Sequence, residues 1–200
     1  MIDDFFEVFR IINLQIYIFS ILLFFIGYAF APTAYFKKIK WLTVYPFFII
    51  NLIDKHFNKD WHPIRIFIVI VMLNSLSLFF NLISAYGIIL PVIFSIYLGI
   101  NLGIVMYHSL NGKHYYLSLL NPVALIELPA AWLSFSMAIQ FSATNYFNIS
   151  GIVQVTFNQY INYFLITVLP LLIIAGIIET ALIVVAKKME EKDQSNNDSM

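Results

Sequence analysis

The chain has 200 residues, 61% of them hydrophobic and 11% charged, with no cysteine and a formal net charge of zero at pH 7. So apolar a composition belongs to an integral membrane protein. The missing cysteines exclude disulfides, thiol catalysis and cysteine-ligated metals, and the balanced charge offers nucleic acid no basic surface.

Long apolar runs set the expected fold class, an all-α integral membrane helical bundle with five transmembrane helices plus interfacial or re-entrant segments. Its single transmembrane domain covers residues 1–186, with spans at about 11–30, 64–86, 88–107, 117–141 and 163–186. Asp3, Asp4 and Glu7 precede the first span. An acidic leader and a proline directly after Ala29-Phe30-Ala31 argue against a cleaved signal peptide. Asn13, Ser20 and Gly27 recur every seven residues and give this helix one face fit for packing.

Residues 33–63 are polar at both ends, with Lys37, Lys38 and Lys40 before and Lys55 and Lys59 after an apolar centre, residues 41–53, that Pro46 interrupts. That centre is too short to span. It reads as an interfacial or re-entrant segment with Trp41 and Tyr45 at headgroup level. Asp54, His56, Asp60 and His62 repeat an acid-x-His pattern, which matches no ligand spacing and reads as a solvated loop, so no metal is expected.

The second and third spans meet at Gly87, where a tight turn suits a helix end. Asn74, Ser77, Asn81 and Ser84 form one stripe of the second span. Tyr97, Asn101 and His108 form another on the third, beside Gly99 and Gly103 in the small-xxx-small arrangement that brings helices together. Interhelical hydrogen bonding is the plain reading of both stripes.

The fourth span carries Pro122, Glu127 and Pro129. A carboxylate within a span costs roughly 2.5 kcal/mol or more when charged, so Glu127 should face protein or water and be protonated or partnered. Its helical face holds Ala124, Ala131, Ser134 and Ala138, small residues that admit a neighbouring helix. Pro129 leaves the Leu125 carbonyl without its helical donor. After a polar and aromatic connection, residues 144–162, the fifth span carries Pro170, then Ala175, Gly176 and Glu179 on one face. Residues 187–200 form an amide-rich, charged tail expected to be disordered.

Of the 11 lysines and arginines, five spans leave Arg10 alone on one side and the other ten opposite, whereas counting residues 41–53 as a sixth span gives three against eight. The positive-inside bias therefore favours five spans in a multi-pass cell-membrane protein, N-terminus outside and C-terminus cytoplasmic. At ~1.5 Å per residue from that side, Glu127 and Asn74 would lie roughly 15 Å deep and Glu179 and Asn101 about 10 Å, so a buried polar cluster of these four is expected.

Leu73-Asn74-Ser75, Gly99 to Gly103 with Asn101, Pro122 through Glu127-Leu128-Pro129-Ala130, and Leu169-Pro170 through Ile178-Glu179-Thr180-Ala181 together resemble the stage II sporulation protein M family of polytopic membrane proteins. The most specific piece is Pro-(four residues)-Glu-Leu-Pro-Ala. Val123 and Ala124 stand where the family usually has His-Gly, Ser75 where a second Asn is usual, and Leu102 separates Asn101 from its glycine. The resemblance implies a multi-span helical protein that acts with partners rather than a free-standing enzyme.

Two functions follow. One is a membrane-embedded scaffold or assembly subunit with protein partners in the bilayer or a homo-oligomer. The other is a small transporter or channel for protons, cations or a polar solute, using Glu127 and Glu179 with the proline-broken fourth and fifth helices. An intramembrane enzyme would need those acids as general acid and base beside His108. The chain supplies neither a nucleophile dyad nor paired histidines, so no catalytic residue and no cofactor is assigned.

Overall fold

The computed structural model describes the backbone of residues 2–56, 61–147, 149 and 151–197, and the side chains of residues 7–51, 61–147, 149 and 151–189. Every regular element among them is helical. In chain order these are α1 (Ile2–Ile11), α2 (Leu14–Phe36), α3 (Lys40–His56), α4 (Pro63–Ile83), α5 (Leu90–Ser109), α6 (Ala124–Phe147), α7 (Phe157–Tyr163) and α8 (Leu169–Asn197), with a π-helical stretch, Phe164–Val168, joining the last two. Five stretches are long and apolar enough to cross a membrane: α2, α4 with the 3-10 turn after it, α5, α6, and α7 through α8. The protein is a multi-pass membrane helical bundle.

Helix ends follow local capping chemistry rather than the edges of the apolar runs. Asn13 splits the first run, because its Oδ1 accepts from the Gln15 and Ile16 amides and starts α2 anew after α1. The fourth span begins later than residue 117. Tyr115–Leu120 is a 3-10 helix, and Asn121 in extended backbone accepts from Val123 N at 3.1 Å, with Pro122 in the position where a missing N–H costs nothing. It also ends later than 141, at Phe147. The fifth starts at Phe157 rather than 163, behind a capping box in which Thr156 and Gln159 satisfy each other's amides.

The turn expected at Gly87 puts positive φ on Ile88 (50°) instead, a conformation disfavoured for a β-branched residue. α8 runs on through Lys187 and Lys188 to Asn197, into the stretch expected to be disordered, and the first six of these residues, Lys187 to Lys192, are good helix formers. His62 caps α4 through Nδ1, accepting from Ile64 N at 3.4 Å, while Asp54, His56 and Asp60 lie outside the described side chains. The segment expected to be interfacial or re-entrant is α3. Leu42, Thr43, Pro46 and Ile50 face the bundle, whereas Trp41, Val44, Tyr45 and Phe48 are exposed.

Chain direction is fixed by contacts. Ser95 Oγ donates to the Ser20 carbonyl at 3.1 Å, Gly99 lies against Phe24 and Tyr28, and Gly103 against Tyr28 and Ala31, so contacts advance together along both helices. α2 and α5 are therefore parallel. Two parallel neighbours separated by α3 and α4 require that only one of those cross, and α4 is the longer and more apolar. This excludes the six-span count. Ser134 on the Leu78 carbonyl and Ser142 on that of Ala85 make α6 parallel to α4, and Gly176 beside Val71 with Phe164 beside Phe79 makes α8 antiparallel to it.

These directions gather the end of α2, the starts of α4 and α6 and the end of α5 at one pole, together with Lys37, Lys38, Lys40, Arg65 and Lys113. We call it the basic end. At the centre stands α6, buried almost continuously from Leu128 to Thr144.

Candidate functional site

Glu127 sits near the start of α6, not mid-span. Counted from the Asn121 cap it is six residues, about 9 Å, along the helix. The sequence-based depth of roughly 15 Å counted the 3-10 turn as part of the span. Pro129 lies inside α6, and Pro170 lies two residues beyond the π-helical stretch, next to Leu169, whose amide reaches back to the Phe164 carbonyl in a wide π turn.

Side chains lean toward the N-terminus of their own helix. Ser134 at Leu78 and Gly176 at Val71 put Glu179 about one turn nearer the basic end than Glu127, so on these antiparallel helices the two carboxyls lean toward one another, within electrostatic reach. Both are half-buried, and among the described residues neither accepts or donates a hydrogen bond or pairs with a cation. On the same face as Glu127, Ala131, Ser134 and Ala138 are buried and Ala124 is partly so. Opposite, Gly176 has no room for a methyl group, because Val71 Cγ2 would stand 2.5 Å from it, and it sets α8 tight on α4 just below Glu179.

The two asparagines take other places. Asn74 lies one turn past Val71 toward the opposite pole, half-buried and without a hydrogen bond to either acid among the described residues. Asn101 is buried on α5, one turn past Tyr97, which packs against the cluster that holds Leu42 of α3. It therefore belongs to the α3 side of the bundle, with its Oδ1 unbonded. Helical spacing shows which residues share a face but not which neighbour that face meets.

The most extensive polar organisation runs along α6, outside the four-residue cluster expected from the sequence. Gln140, fully buried, accepts from Asn13 N at 2.9 Å and donates to the carbonyls of Ile11 (3.0 Å) and Val153 (3.1 Å), tying α1, α2 and the loop before α7 together. Ser136 donates to the Trp132 carbonyl at 2.6 Å, which Ser20 also reaches at 3.2 Å. Ser134 donates to the Leu78 carbonyl at 2.9 Å and Ser142 to that of Ala85 at 2.6 Å. Each of these bonds that joins two helices contributes on the order of 0.6–2 kcal/mol in a bilayer, where no hydrophobic force drives helices together. A lone amide and spaced serines within an apolar helix were the available signal.

At the basic end Tyr28 donates to the Tyr115 carbonyl at 2.9 Å and its ring stacks on that of Tyr115. Burial, reinforced by the neighbouring Tyr107, pushes the Tyr115 phenol above the ordinary tyrosine value. This clamp holds the 3-10 turn against α2 and thereby places the start of α6 and Glu127.

The family model for Stage II sporulation protein M matches residues 16–182, from α2 into α8, and so includes both glutamates and the whole of α6. No curated protein and no solved structure matches the chain. Five apolar helices and a match over most of its length lead to one conclusion: the chain belongs to the stage II sporulation protein M family.

Proposed function

We propose that the chain is a membrane-embedded scaffold or assembly subunit, working with protein partners or with further copies of itself, its basic end in the cytoplasm and its N-terminus outside. One observation carries the reading. Along the buried length of α6, Ser134, Gln140 and Ser142 each donate to a backbone carbonyl of another segment, and the Ser136 hydroxyl meets that of Ser20 on α2. Polar groups committed in this way lock helices to one another, whereas a solute path needs groups left free to exchange partners. The orientation rests on the lysine and arginine asymmetry of one against ten. Extraction of the tagged full chain in mild detergent tests the role. A second protein or a defined homo-oligomer in fixed stoichiometry supports it, and a chain that always emerges as a lone monomer contradicts it.

The second reading, transport of protons, cations or a small polar solute, is favoured by the carboxyl pair of Glu127 and Glu179, which interact while lacking hydrogen bonds among the described residues. It requires flux in proteoliposomes that Glu127→Gln abolishes. On the scaffold reading there is no such flux, and Glu127→Gln leaves assembly intact.

A further inference from the structure

At the basic end, the last turn of α2 and the first turns of α3 enclose an open cleft of about 430 Å³ lined by Tyr35, Phe36, Lys38, Lys40, Thr43 and Phe47. That volume is within the ~300–1,000 Å³ of small-molecule sites. Its form comes from a Schellman cap on α2, in which the Ile39 amide donates to the Ala34 carbonyl and the Lys38 amide to that of Tyr35, both at 3.2 Å. Such a cap needs a left-handed residue, usually glycine. Here it is Lys38, at φ 48°. A lysine there costs about 1 kcal/mol of backbone strain that glycine would avoid. Strain of this kind persists where the surrounding structure over-determines it, and it collects at ligand sites.

The cleft's chemistry is cationic and aromatic. Among the described residues neither Lys38 nor Lys40 is paired with a carboxylate. The Thr43 hydroxyl donates back to the Ile39 carbonyl at 3.1 Å, which leaves the two ammonium groups as the donors. Tyr35 is held at the wall by a 3.0 Å bond between its hydroxyl and His108 Nδ1, and Phe47 packs edge-on against the same histidine. The first turn of α3 adds the positive end of a helix dipole. Just outside the cleft, Trp41, Val44 and Phe48 are 73%, 66% and 58% exposed, a surface suited to acyl chains at the edge of the bilayer.

We propose that this cleft binds the phosphate of an anionic phospholipid, with Lys38 and Lys40 on the headgroup and the exposed face of α3 along the chains. The ligand comes from the bilayer, because the cleft opens where the lysines and the apolar face of α3 meet. A lysine at an anionic lipid surface is worth roughly fivefold in binding.

The test is thermal unfolding of the full chain in a neutral detergent during titration with short-chain phosphatidylglycerol, short-chain phosphatidylcholine or inorganic phosphate. Phosphatidylglycerol should raise the unfolding temperature at concentrations at least about fivefold below those phosphatidylcholine needs, and inorganic phosphate should not raise it. Lys38→Gly should weaken the phosphatidylglycerol response roughly fivefold while the lipid-free protein unfolds at the same or a higher temperature, because glycine relieves the strain. Lys113→Gln, a charge lost at the same end but outside the cleft, should leave the response unchanged. Equal responses to the two lipids, an equal loss in Lys113→Gln, or a full response to inorganic phosphate alone would each overturn the proposal.

Discussion

Replacing Gly99 by alanine should separate the two helices on which the topology depends. The added methyl carbon would run into the Phe24 carbonyl oxygen, with Tyr28 N at 2.8 Å and the Phe24 carbonyl carbon at 3.0 Å. Non-bonded heavy atoms prefer about 3.5–4.0 Å, so the nearer of these two is short by ~0.7 Å or more. All of them are backbone atoms inside α2, and no side chain can swing away. The helices must part along a seam that also holds Gly27 against Ile96 and Ile100 and Gly103 against Ala31. Overpacking of this kind costs roughly 1–3 kcal/mol, and with a rigid backbone on both sides we expect the upper part of that range. Unfolding in mixed micelles by titration with a denaturing detergent, followed by tryptophan fluorescence, reads it directly, since Trp132 packs against Phe24 and Phe25. Ala29→Leu, on the exposed face of α2, is the control and should be tolerated. A Gly99→Ala protein as stable as the parent would refute the close parallel packing of α2 and α5.

Gln140→Leu keeps the volume but strands Asn13 N, Ile11 O and Val153 O. At ~1–3 kcal/mol for each group left unsatisfied, and with partial access to water, a loss of about 3 kcal/mol is expected, with faster hydrogen exchange in residues 151–157; unchanged exchange there would show that the amide is not the clasp. Asn121→Ala removes the cap of α6 and should cost about 1 kcal/mol, while Asn121→Asp should keep most of it because a carboxylate also accepts from Val123 N. Equal losses in the two variants would mean that the side chain does not set the helix start.

Hydropathy made the five spans legible, because a run of ~20 apolar residues has few alternatives in a bilayer. Helix ends were less so, since a window of ~19 residues averages away a single Asn13, Asn121 or Thr156. Each of those is a readable cap, and reading the caps first would have started α6 after Pro122 and the last span near Phe157. The acid pair was half legible. Small residues at Ala131, Ser134 and Gly176 marked the packed faces, but the partner of each face depends on helix order and direction, which periodicity does not carry. Asn101 shows this well, as it shares the stripe of Tyr97 on α5, which packs toward α3 rather than α8. Gln140 was overlooked because its partners are backbone groups distant in sequence, one of them 129 residues away.

How α6 sits among its neighbours decides both readings of the function, and the chain's lack of cysteine makes it directly measurable. Cysteines are introduced in pairs, Glu127 with Glu179 and Glu127 with Asn101, and each protein is treated in native membranes with a short bifunctional thiol reagent. The packing of α6 against α8 predicts efficient crosslinking of the first pair and little of the second. Crosslinking of Glu127→Cys to Asn101→Cys but not to Glu179→Cys would contradict it.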